Sequence, residues 1–275
     1  MVMRSVENAR TALDDGKTDA AIKMMKSTDA LCSRVVAPPT VHGLALRILA
    51  DAYVQKATER SANDDGGENG TSSGGETTEG TKEGDDAEGD DGNASYVEMA
   101  KGALKKGIEI CKVHEGKAGM PPFMVADLAG RLGDLYAALG EIFREEKNYK
   151  EALRSLRLGC SRFEKLGSND FVAATLNRVA FCYMEKEKWN EALSEIADAE
   201  RAASGAEAES AILSTTFSYK ARCYKALDKT SLARTAFESA LKFAMASGNV
   251  DVCREAEEFL AETQSESTVD DSAYL

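Results

Sequence analysis

Apolar residues recur three and four positions apart along most of this chain, and each run breaks once at a short polar pair before resuming. Across 132–166 the stripe is Leu135, Leu139, Ile142 and Phe143, then Tyr149, Leu153 and Leu156, with the break at Lys147 and Asn148. Such spacing lines one face of a helix, so the segment predicts two helices joined by a tight turn. Residues 172–203 repeat the scheme with Val172, Leu176, Val179, Ala180 and Tyr183, then Trp189, Leu193, Ile196 and Ala199. A third copy runs through Ile212, Thr216, Tyr219 and Tyr224, then Leu232, Ala236 and Leu241. Lys147–Asn148, Glu187–Lys188 and Asp228–Lys229 are predicted to be equivalent turns.

A finer register lies inside these stripes: a small residue, an aromatic three positions on, and an alanine twelve on. It is met at Gly140, Phe143 and Ala152, at Ala180, Tyr183 and Ala192, and at Ala221, Tyr224 and Ala233, with a fainter copy at Ala9, Ala12 and Ala21. Small residues let two antiparallel helices approach, and the aromatic fills the space beside them. In the remaining copy Ala50 and Tyr53 keep their spacing, but the matching alanine, Ala100, comes 38 residues late, and residues 61–95 supply 35 of the excess. A connection around Gly116, Gly119, Pro121 and Pro122 is predicted to be exposed, and Val250–Glu262 to be a lone helix capping the end of a stack. The small, aromatic and alanine positions resemble those of the tetratricopeptide repeat, although the copies lie 40 or 41 residues apart, which implies longer helices. The expected fold is all-α: a tetratricopeptide-like superhelix of helical hairpins with a disordered acidic insertion in its second repeat. The boundaries read as 1–60 (repeat 1 and the first helix of repeat 2), 61–95 (insertion), 96–262 (the rest of repeat 2, repeats 3 to 5 and the cap) and 263–275 (an acidic flexible tail).

Charge sharpens this picture. The formal net charge is −13, of which 61–95 carries −10 and the tail from Thr263 carries −3, leaving the scaffold neutral. The insertion holds eleven acids (Asp64, Asp65, Glu68, Glu76, Glu79, Glu83, Asp85, Asp86, Glu88, Asp90 and Asp91), one lysine and nine glycines, and no apolar residue larger than alanine. Such a segment cannot offset its ordering entropy. An acidic element on a neutral scaffold suits a basic protein partner and disfavours direct nucleic-acid binding, which needs a basic face. No apolar run reaches the ~18 residues of a membrane span, and the first residues lack a signal-peptide core, so an intracellular protein is expected.

The interrupted second repeat resembles that of the nuclear autoantigenic sperm protein family of histone chaperones. The run Leu139-Gly140-Glu141-Ile142-Phe143, followed by Glu146-Lys147-Asn148-Tyr149-Lys150-Glu151-Ala152-Leu153, is similar to the family's third repeat, and Gly16-Lys17-Thr18-Asp19-Ala20-Ala21 with Met25 and Ala30-Leu31 to its first. The likeness covers most of residues 5–200. It implies binding of histone H3, alone or with H4, during storage, transport or chromatin assembly, and nuclear residence, with shuttling to the cytoplasm left open. No basic cluster near the C-terminus would serve as an import signal, and a homodimer is compatible with the sequence.

In a tetratricopeptide stack the first helix of each pair lines the groove. Counting from the small residue places Asp51, Glu141, Arg144, Glu145, Phe181, Met184 and Glu185 near it, where acids beside an aromatic and a methionine would suit a basic amphipathic segment. The same charges would equally serve as a solvated helix face. The rival function is an adaptor or co-chaperone scaffold for another basic or helical partner. A clamp for the acidic C-terminal peptides of heat-shock proteins is not recognisable, because Arg47 and Asn177 are accompanied by Asp51, Ala137, Glu141 and Phe181. Catalysis is not expected: the two histidines, His42 and His114, lie in or beside predicted turns, with no phosphate-cradling loop, nucleophile elbow, metal-ligand spacing or cofactor motif. The six cysteines are far apart and read as buried thiols, and Trp189 as a packing wedge. Ser61, Ser73, Ser267 and Thr268, each followed by an acid three on, match an acidophilic kinase at the level chance allows.

Overall fold

In the computed structural model, eleven helices form among the described residues, which are 2–35, 37–65, 91–115, 117, 119–204 and 210–272; the side chains of 63–65, 91–93, 204 and 264–272 are not described. The helices group into two compact units, 1–120 and 121–275. The division falls at the connection that Pro121 and Pro122 mark in the sequence.

The first unit holds α1 (Val2–Asp14), α2 (Thr18–Val35), α3 (Pro39–Asp65) and α4 (Asp91–His114). Its core contains the predicted small and aromatic positions, Ala9, Ala12, Ala21, Ala50, Tyr53 and Ala100, with Met25, Leu46 and Leu104. Both helices of its second pair run into the stretch read as insertion: 61–65 end α3 and 91–95 begin α4. No proline stops either extension, and Tyr96 holds the pair together by packing 6.1 Å from Tyr53 and lying beneath Arg60 at 4.9 Å. All eleven insertion acids fall between 64 and 91, where side chains lie outside the description.

The second unit holds α5 (Pro122–Glu145), α6 (Tyr149–Leu166), α7 (Asn169–Met184), α8 (Trp189–Ser204), α9 (Ser210–Ala226), α10 (Thr230–Ser247) and α11 (Val250–Ser272). Its core passes from hairpin to hairpin. Ala152 and Leu156 of α6 pack on Val179 and Cys182 of α7; Ala180 and Met184 pack on Ala192 and Ile196 of α8 and on Cys223 of α9; Ala221 packs on Ala233 and Phe237 of α10 and on Ala256 and Phe259 of α11. The repeat aromatics Phe143, Tyr183 and Tyr224 lie half-buried against these clusters, as does Trp189. In the first hairpin glycine replaces alanine because the helices come closer. A Cβ at Gly140 would sit 2.6 Å from Leu156 Cγ, and one at Gly133 2.6 Å from the Phe163 ring. The terminal helix α11 continues to Ser272, ten residues past the predicted cap, through a stretch with no glycine or proline to end it.

Backbone hydrogen bonds explain the register. Within each hairpin turn the repeat aromatic's carbonyl accepts the N–H five residues on (Asn148 to Phe143, Lys188 to Tyr183, Lys229 to Tyr224), and that residue's carbonyl then accepts the N–H of the repeat alanine four further on. The residue between the helices must turn left-handed, and Lys147, Glu187 and Asp228 do so at φ 58°, 56° and 55°. Gly16, at φ 72°, makes the same turn between α1 and α2. The aromatic-to-alanine spacing is thus set by one turn geometry repeated four times.

Candidate partner-binding face

The first helices of successive pairs in the second unit, α5, α7 and α9, share a polar face. On α7 the core stripe takes Val179, Ala180 and Cys182, and helical geometry turns Arg178, Phe181 and Glu185 away from it. On α5 Glu141 and Glu145 stand at the positions of Phe181 and Glu185, with Arg144 beside them at the position of Met184, and on α9 Tyr219 and Arg222 stand at those of Arg178 and Phe181.

At the centre of this face Arg144, with 19% of its side chain exposed, meets carboxylates from two helices. Its Nε donates to Glu141 Oε2 at 3.1 Å, and its other nitrogens lie 3.6 Å from Glu145 Oε1 and 3.8 Å from Glu185 Oε2. The guanidinium carbon stands 5.1 Å from the centre of the Phe181 ring. Phe181 stacks on Tyr219 with centroids 5.3 Å apart, and Arg222 lies 5.8 Å over Tyr219. Arg222 in turn makes a two-pronged pair with Glu255 of α11, at 2.6 and 2.7 Å. Acid, base, aromatic pair, base and acid therefore follow one another from α5 to α11.

The electrostatics are uneven along this line. Burial opposes the charge on Arg144, but Glu141, with Glu185 and Glu145, outweighs it and raises its pKa. For Glu145, burial raises the carboxyl pKa, Glu141 adds to that, and Arg144 only partly opposes it. The Arg222 pKa is raised chiefly by its hydrogen bonds to Glu255. Tyr219 is raised by burial, against the pull of Arg222. Beneath the face, burial and then Glu141 push the Cys182 thiol up to about 12, so it stays protonated.

In this cluster the buried acceptor Glu141 Oε1 lacks a hydrogen-bond partner, as does Asn177 Oδ1 between α7 and α9. Arg178 Nε approaches the first, but at 3.6 Å, beyond hydrogen-bond range. Asn177, 4% exposed, spends its amide nitrogen on Thr216 Oγ1 at 2.8 Å.

Of the residues that sequence places in a groove, the structure brings Glu141, Arg144, Glu145, Phe181 and Glu185 together. Met184 does not join them. It lies one turn beyond Ala180, shares that residue's core face and is buried against Ala192 and Ile196. Asp51 belongs to the first unit, where it pairs with Arg47. Arg178, Tyr219, Arg222 and Glu255 are additional. Arg222 is legible, because it follows its small residue by one, as Asp51, Glu141 and Phe181 do; Glu255, on a helix outside the repeat, carries no such signal. His42 lies in the first turn of α3 and is buried. Five of the six cysteines are buried, and among the described residues no cluster of His, Cys, Asp or Glu is arranged to hold a metal. No described helix is long and apolar enough to cross a membrane.

Neither any protein-family model nor any curated protein sequence matches the chain. Solved structures do. The chain is similar to a signal-transduction ATPase with numerous domains that carries a tetratricopeptide-repeat sensor, from Pyrococcus horikoshii, at TM-score 0.65 and 17% identity over 93% of this chain and 31% of that one. It is similar to aspartyl phosphate phosphatase F from Bacillus subtilis at TM-score 0.67 and 13% identity, over 97% of this chain and 57% of that one. The apo form of RapI matches at TM-score 0.53 and 8% identity, over 99% and 73%. The chain thus spans about a third of the first protein and just over half of the second. At these identities the likeness is one of fold: an all-α, tetratricopeptide-like stack of helical hairpins.

Proposed function

We propose that this protein is a binding scaffold rather than an enzyme, and that the face formed by α5, α7 and α9 receives a basic segment of another protein. The convergence of Glu141, Glu145 and Glu185 beside the Phe181–Tyr219 stack carries this reading, since carboxylates around an aromatic platform complement cationic side chains. An acidic peptide is the poorer fit. Arg144 and Arg222, the cations it would need, are held by this chain's own carboxylates.

The finer reading is that the basic partner is histone H3, alone or with H4, that the protein shields histone charge in the nucleus, and that it belongs with the nuclear autoantigenic sperm protein family. The interrupted second repeat supports it, together with the −10 charge of residues 61–95. In this reading the insertion adds diffuse, salt-screened attraction and the repeat face adds selectivity. The test is binding of purified protein to labelled H3 with H4, set against the other core-histone pair and a heat-shock C-terminal peptide, at low and moderate salt. H3-selective binding that persists at moderate salt is expected. Binding to every histone that vanishes with salt would reduce the protein to a nonspecific polyanion, and no histone binding would return it to an adaptor for another basic or helical partner.

A further inference from the structure

A face that binds a basic segment must first contend with the cation already on it. Three carboxylates from two helices surround Arg144, which also covers the Phe181 ring. Among the described residues the other cation approaching them is Arg178, half-exposed and too far from Glu141 to donate a hydrogen bond. The site therefore carries more acid than base, and it is short of donors as well: the buried Glu141 Oε1 accepts no hydrogen bond. Buried acceptors without donors are costly and uncommon. What would complete this site is a planar, donor-rich cation able to lie on an aromatic ring. That describes a guanidinium, and a lysine ammonium lacks both the fork and the stacking plane.

We infer that this face is an arginine-reading socket and that Arg144 is its resident occupant, standing where an arginine of the partner segment docks. The inference rests on the proposal that a basic segment binds here, and adds to it that arginine is preferred to lysine and that Arg144 competes with the ligand. Entry of the partner's arginine displaces Arg144 from Phe181 toward solvent, while Glu141, Glu145 and Glu185 exchange one guanidinium for another. Resting affinity is thereby held down, and the partner must bring enough further contact to replace an internal ion pair. An internal competitor is relieved by removing it, whereas a structural arginine or an ordinary contact residue is not.

The test uses the full chain and two fluorescein-labelled basic peptides of one sequence, with every cation arginine in the first and lysine in the second, followed by fluorescence polarisation at moderate salt. Wild type should bind the arginine peptide roughly tenfold more tightly than its lysine twin, the size of one good charge-assisted contact. Arg144→Gln should tighten binding of the arginine peptide by roughly three- to tenfold and that of the lysine peptide little, and Glu185→Gln should weaken the arginine peptide selectively. Thermal melting checks that each variant folds, and if Arg144→Gln does not, the Glu185→Gln result and the arginine-to-lysine ratio decide. Equal binding of the two peptides, or an Arg144→Gln variant no tighter than wild type, overturns the socket while leaving the basic-partner reading intact. Failure of either peptide to bind any variant overturns both.

Discussion

Two polar clusters in this molecule are built from the same kinds of side chain with opposite stoichiometry. In the first unit one carboxylate, Asp29 of α2, serves two bases: His42 Nε2 of α3 lies 2.6 Å from its Oδ1, and Lys106 Nζ of α4 donates to both oxygens at 2.7 and 2.6 Å. In the second unit one base, Arg144, serves three carboxylates. The two respond to burial differently. Burial raises the Asp29 pKa, but its bonds to His42 and Lys106 overcome that and leave it below the ordinary value. Burial also raises Glu145, and Arg144 does not overcome it. A carboxylate better off charged is a structural staple, here joining three helices. One raised above its ordinary value, by burial first and by a neighbouring carboxylate after it, is left incompletely compensated by the fold's own cation, which is a condition suited to a cation from elsewhere.

The largest expected effect comes from removing the staple. Asp29→Ala strands a buried histidine and a lysine and should cost the first unit about 1–3 kcal/mol, below the range for fully buried pairs because Asp29 is partly exposed. Denaturant unfolding measures this, and basic-peptide binding should not change. A cost under about 0.5 kcal/mol would place the cluster with ordinary surface ion pairs. The pH dependence separates the two clusters by sign. Because the folded-state pKa of Asp29 is depressed, its contribution is present above the ordinary carboxylate range and is lost as pH falls through the depressed value. Stability of the first unit should therefore decline below about pH 4, and Asp29→Asn should flatten that decline. Glu145, raised in the folded state, contributes in the opposite sense: its share is present at low pH and lost as pH rises through the raised value.

Glu187→Gly offers a control two residues from Glu185. It relieves a left-handed backbone in the turn without touching the cluster, and should add about 0.5–1 kcal/mol with unchanged peptide affinity. The smallest effect is that of Glu145→Gln, because 58% of its side chain is exposed. Stability at neutral pH should rise by no more than about 0.5 kcal/mol after solvent screening, while arginine-peptide binding weakens. A loss of stability instead would show that the carboxylate serves the fold.

The legible parts of this structure are those governed by spacing. Lys147, Glu187 and Asp228 stand at turns that the polar breaks mark, and Ala152, Ala192 and Ala233 are fully buried as the register requires. What escaped depends on side-chain character at the edge of a face or on partners distant in sequence. Met184 holds the register position that Arg144 holds on α5, four past the small residue, and at this boundary between face and core the apolar side chain turns inward while the charged one stays on the face. Asn177 resembles a groove residue until Thr216, 39 positions later, claims its amide. Asp29 and Lys106, 77 positions apart, bear no mark that they share a bond with His42.

The pair α3 and α4 follows a different rule from its siblings. In the other hairpins the first helix stops one or two residues beyond the repeat's third-position residue, because the left-handed turn ends it there; α3 runs twelve residues past Tyr53, and α4 begins nine before Ala100. Among the described residues no left-handed turn ends α3 near Tyr53, and Tyr96 packs on Tyr53 and beneath Arg60 across the pair, so the number of residues from Asp65 to Asp91 is not tied to the repeat's count. Elsewhere in the chain an inserted residue would shift every alanine behind it. Here the genome can lengthen or shorten the segment by any whole number of codons, and acidity can be dialled independently of the scaffold that carries it.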